Sequence, residues 1–155
     1  MVSMRLRYTR SPVQAAALVV GVLFIVVGVI GFIPGITTHV DELDPAGHRS
    51  DAQLFGVFTV SVLHNVLHVV YGVAGIVMAR IGRWSHLYFI GGGLLYLALW
   101  LYGLAIDVNS PANFMPIDNA DNWLHLVLGL GMVALGALLR SRRPRPSEIS
   151  GDSPR

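Results

Sequence analysis

The chain has 155 residues, of which 54% are apolar and only 13% charged, with a formal net charge of +2. This composition and a positive mean hydropathy place it in the membrane class and leave too little chain for a separate soluble catalytic domain. Nucleic acid is not an expected partner, and the absence of cysteine removes disulfides and thiolate metal ligands.

Arg5, Arg7 and Arg10 mark residues 1–12 as a basic tail. The apolar stretch 13–33 follows. It is longer than a signal-peptide core and no small-x-small site closes it, so we read it as a retained first helix. Gly31-Phe32-Ile33-Pro34-Gly35 ends it, because proline breaks the ladder and glycine permits the turn. The next connection carries Asp41, Glu42, Asp44 and Asp51 against Arg49. His39 and His48 sit among these acids and are read as part of a solvated loop rather than a cation site. Residues 54–60 are apolar and are expected to lie at the membrane interface.

Three further spans are expected at 61–79, 85–106 and 121–139, each close to the ~20 residues that cross a hydrocarbon core. Ser110-Pro111 and Met115-Pro116 break up the connection before the last of them. Residues 140–155 mix arginine, proline and serine and are expected to form a disordered basic tail. Arginine falls at the amino terminus, at Arg80 and Arg83, and at Arg140, Arg142, Arg143 and Arg145. The positive-inside rule therefore puts both termini in the cytoplasm and both acidic connections, the second carrying Asp107 and Asp118, outside. Arginine without lysine, with abundant alanine, glycine and valine, fits a GC-rich bacterial genome and hence the bacterial plasma membrane. The fold class is thus all-α, with a four-helix domain over 13–139 built as two similar hairpins.

The similarity rests on a repeated motif. His64-Asn65-Val66-Leu67-His68 and Asp121-Asn122-Trp123-Leu124-His125 are each followed four residues later by glycine, Gly72 and Gly129. Aligning them sets Ser61 opposite Asp118, and both are good N-cap residues. Ionisable residues are costly in apolar segments, so a matched pair is the default candidate site. Positions four apart share a helix face, which makes His64, His68, Asp121 and His125 candidate ligands for zinc, iron, manganese or copper. Asn65 and Asn122 would hydrogen-bond to those ligands from behind.

The run 31–35, then Leu54-Phe55-Gly56-Val57-Phe58, then the first motif with Gly72 and Gly75 and the second with Gly129, resembles domain-of-unknown-function family 4383. The resemblance covers the chain except its tails. It implies a small four-helix membrane protein of a kind found largely in actinobacteria, and it supplies no activity and no catalytic residues. In one departure, Ser61-Val62 stand where that family pattern leads one to expect a proline.

Several chemistries compete for the motif. Haem would use His68 and His125 as opposing axial ligands, with Gly72 and Gly129 making room. A metal-activated water attacking a lipid ester, or a proton relay, would use the same residues. No recognisable nucleophile accompanies them, and the first and third spans supply no ionisable residue to carry a path inward. His86 lies at the opposite end of its helix and cannot join the cluster. The remaining reading is interhelical glue, worth about 1 kcal/mol or less per contact. On balance the sequence indicates a non-enzymatic, structural or accessory membrane protein. Its expected partners are the lipid bilayer and a second copy or another membrane protein. Gly21, Gly28, Gly72, Gly75, Gly91, Gly92, Gly93, Gly129 and Gly136 are read as points of close helix approach. Tyr71 and Tyr96 are candidates for hydrogen bonds inside the bundle, and Trp84 and Trp123 for interface anchors.

Overall fold

A computed structural model describes residues 11–139; the expected tails fall outside them, apart from the junction at residues 11 and 12. Four helices run α1 (Pro12–Ile30), α2 (Val62–Met78), α3 (Gly82–Ala105) and α4 (Asn119–Leu138). Three are long and apolar enough to cross a membrane, and α2 is a shorter apolar helix. At 17 residues it rises roughly 25 Å, near the lower limit for a span. The protein is an all-α membrane protein.

Local signals set the helix ends. Ser11 stands at the N-cap of α1 with its hydroxyl donating to Gln14 Oε1, and Pro12 opens the helix, where proline's missing N–H costs nothing. α1 stops at Ile30, earlier than residue 33, because the chain turns tightly at once: Phe32 N–H donates to Val29 O and Ile33 N–H to Ile30 O. α3 starts at Gly82 rather than 85, since only residues 79–81 separate it from α2. The Ser85 hydroxyl steadies this turn, with the Met78 and Ile81 carbonyls each 3.2 Å away.

Both long connections lie at one end of the bundle, the loop end; the α2–α3 turn lies at the other, the turn end. The first connection is more ordered than the sequence suggests. Strands β1 (Thr37–Thr38), β2 (Gln53–Leu54) and β3 (Phe58–Thr59) form a small antiparallel sheet in the order β1-β2-β3. The apolar stretch 54–60 is therefore largely a hairpin arm, with Phe55 and Gly56 both at positive φ in its turn. That geometry matches the twist of paired strands and is normally given to Asn-Gly or Asp-Gly, so phenylalanine at the first turn position hid it. Buried Ala52, Leu54 and Val60 form a small core beneath the sheet.

The helices pack as two antiparallel hairpins, α1 with α2 and α3 with α4. The hairpins join chiefly through α3, which touches both α1 and α2. Their common core contains Val13, Ala17, Phe24, Ala79, Tyr88, Phe89, Tyr96 and Met132.

Candidate functional site

Each hairpin closes on a pair of glycines. A β-carbon on Gly21 would lie 2.7 Å from Gly72 O, and one on Gly72 would lie 2.5 Å from Gly21 O. The second hairpin repeats this: a β-carbon on Gly93 would lie 2.8 Å from Gly129 O, and one on Gly129 would lie 3.0 Å from Gly93 O. Such approaches let helices pack backbone to backbone, where apolar burial gives little drive because lipid is equally apolar.

Ten residues beyond the first glycine of each pair comes a second one, Gly31 after Gly21 and Gly103 after Gly93. The Asn65 amide occupies the space where a Gly31 side chain would stand, and the Asn122 amide does the same at Gly103. The two asparagines therefore face the first helix of their own hairpin. They fill these notches, and Asn65 Nδ2 and Asn122 Oδ1 are buried without a hydrogen-bond partner. The motif in α2 and α4 is legible in the sequence. Its other half, Gly31 and Gly103, was missed as a pair because glycine is common in apolar helices; the constant ten-residue spacing was the available signal.

The motifs also begin alike. Ser61 Oγ accepts the His64 N–H at 3.2 Å, and Asp118 Oδ1 accepts the Asp121 N–H at 2.8 Å. In α4 the Asp121 carboxylate in turn accepts the Asp118 N–H at 3.4 Å, completing a capping box. Asp118 Oδ2 additionally accepts from Thr59 N and Thr59 Oγ1 at 3.1 and 2.8 Å, tying the sheet to the start of α4. Asp121 is thus engaged in its own helix start.

The histidines meet around a cavity of about 380 Å³ at the loop end, between α2 and α3. His64, His68, Tyr71 and Ala74 line one wall, Leu95, Tyr96 and Leu99 the other. His125 reaches it from α4, and Phe114, Met115 and Ile117 of the second connection cover it. Asn113 shapes that cover: its amide donates to Val108 O and Ile117 O at 2.9 and 3.1 Å, and its carbonyl accepts from Ile117 N at 3.0 Å. Asp121, Asn65 and Asn122 do not line the cavity. Among the described residues no group of three or more His, Cys, Asp or Glu is placed to hold a metal ion.

The rings form an ordered chain. His64 stacks on His68 at 4.6 Å and His68 on Phe24 at 5.5 Å. Phe24 stacks on Tyr96 at 5.8 Å, and Tyr96 contacts His125 at 5.3 Å. Phe24 lies three residues after Gly21 as Tyr96 lies three after Gly93. The His68–Phe24 and Tyr96–His125 contacts are therefore equivalents, and the hairpins meet where Phe24 touches Tyr96. The His68 Nδ1 lies 3.1 Å from His64 O. A carbonyl only accepts, so Nδ1 carries the proton and Nε2 is left as an acceptor.

Other candidates have local roles. His86 Nδ1 donates to Gly136 O at 2.7 Å and pins α3 to α4 at the turn end, remote from the cavity. Gln14 Nε2 donates to Ala79 O at 3.0 Å across the first hairpin. The Tyr71 hydroxyl donates to Tyr88 O at 3.3 Å and fills the place of a Gly92 side chain. Trp84 and Trp123 are exposed on the bundle surface.

A family model described as Domain of unknown function (DUF4383) matches residues 14–138. The chain belongs to this family. The match includes both motifs, all four crossing glycines, Gly31 and Gly103, so every contact of the DUF4383 repeat lies within it. No curated protein and no solved structure matches the chain.

Proposed function

We propose that this DUF4383 protein is a structural or accessory protein of the bacterial plasma membrane, non-enzymatic, with both termini cytoplasmic. The paired motif locks each hairpin and fixes how the two hairpins meet. One observation carries this reading: the glycine crossing, the asparagine seated on a glycine and the capped motif start are made twice, at equivalent positions. Packing accounts for both copies without a ligand.

The orientation has a direct test because the chain lacks cysteine. A membrane-impermeant maleimide applied to intact cells should label Glu42→Cys and spare Arg83→Cys until the membrane is opened. The reverse pattern would invert the topology. For the locking role, Gly31→Ala and Gly103→Ala should each loosen the bundle by about 1–3 kcal/mol in a detergent unfolding series, because each β-carbon meets a buried amide. If both variants are as stable as the parent, the motif is not a lock.

A second reading, haem or a transition metal held by two of the imidazoles of His64, His68 and His125, has in its favour that one cavity brings them together. Elemental analysis of protein purified without a histidine tag decides it. Near-equimolar metal that is lost in His68→Ala, His125→Ala would replace the accessory reading with a ligand set.

A further inference from the structure

We infer that the cavity between α2 and α3 is a binding site for an apolar molecule that enters from the bilayer and carries a hydroxyl group at one end. This goes beyond the locking role, which engages the asparagines, glycines and caps and leaves the histidines aside.

The cavity is apolar along most of its length, through Leu67, Val70, Ala74, Leu95 and Leu99, and its ionisable side chains other than tyrosine are the three imidazoles at the loop end. From His64 to Ala74 the wall runs about 15 Å by helix rise. Val70 and Leu95 are more than half exposed, so the long side is open where α2 and α3 face lipid. The volume of about 380 Å³ lies in the range of small-molecule pockets. It holds roughly a dozen methylene-sized groups at ~30 Å³ each, enough for a head and the start of a chain whose remainder leaves through the open side.

The polar end selects the head. His68 Nε2 is an acceptor, because Nδ1 is committed to the His64 carbonyl. His64 and His125, 7% and 5% exposed, border the same space, although their Nδ1 atoms are buried away from it. A bare hydrocarbon would leave the His68 acceptor dehydrated and unpaired, which is unfavourable. The lining contains no arginine or lysine, so nothing permanently charged is present to hold an anionic head. A neutral hydroxyl donates to His68 Nε2 and can accept from a second ring. Prenyl alcohols and diglycerides share this chemistry.

The test uses the full chain in detergent, incubated in turn with farnesol, dioctanoylglycerol, farnesene and dodecanoic acid, with retained molecules counted by mass spectrometry after detergent exchange. An equimolar amount of farnesol or dioctanoylglycerol, with farnesene and the acid washed away, is the expected result, and whichever alcohol is held identifies the source. His68→Phe keeps the ring stack and removes the acceptor; it should lower retention about tenfold, the scale of one buried hydrogen bond. Ala74→Phe fills the cavity and should abolish retention. Equal retention of farnesene and farnesol, preference for the acid, or full retention by a monodisperse His68→Phe protein would overturn the inference. The hairpin lock would survive any of these results.

Discussion

The two hairpins make the same backbone contacts and differ in what surrounds them. In α1–α2 the motif opens with His64 under a serine cap; in α3–α4 it opens with Asp121 inside a capping box. The aspartate is turned back on its own helix start, while the histidine borders a cavity and stacks on the next histidine. The shared glycines and asparagines are requirements of packing, met twice. The differing residues make the cavity at one junction between the hairpins.

The largest effect should come from forcing the crossings apart. Gly72→Val pushes a side chain into the Gly21 carbonyl, 2.5 Å from the new β-carbon. Backbone cannot give way, so a loss above about 3 kcal/mol is expected in detergent unfolding. Gly129→Val meets the movable Leu97 side chain at 2.8 Å and the Gly93 carbonyl less closely, at 3.0 Å, so a smaller loss of about 1–3 kcal/mol is expected. Equal losses would mean that the two crossings are more alike than their neighbours indicate.

The caps give a smaller contrast. Asp118 accepts from Asp121 and twice from Thr59, whereas Ser61 holds only the His64 N–H. Asp118→Ala should therefore cost about 2 kcal/mol and Ser61→Ala about 1 kcal/mol. Thermal unfolding of the two variants side by side measures the difference, and a larger loss at Ser61 would reverse the ranking. The smallest effect is expected at Gly131, which has nothing within 4 Å of where a β-carbon would stand. Gly131→Ala should stabilise α4 by about 0.4–1 kcal/mol, since alanine restricts the unfolded chain and clashes with nothing. A loss there would reveal a contact made by that face of α4.

Much of this fold is legible in the sequence. The four apolar segments and the caps at Ser61 and Asp118 depend on neighbouring residues alone, so hydropathy and capping rules find them. The β-hairpin at 53–59 escaped notice because its turn uses Phe55-Gly56, and residues 54–60 read simply as an apolar stretch. The site was half legible: the motif stood out, yet its asparagines were assigned to the ligand side when they pack on Gly31 and Gly103.

The sequence by itself determined that this is a four-helix membrane protein with a duplicated polar motif, because span length and helix starts follow from short-range physics. Tertiary structure alone decided which way each motif residue faces. Spacing puts Asn65 and His68 on known sides of α2 but does not say which side meets α1. That choice is made by close packing between helices, where Gly21 and Gly72 can touch and a side chain could not. The same packing turns Asp121 inward to its cap and leaves three histidines around one cavity.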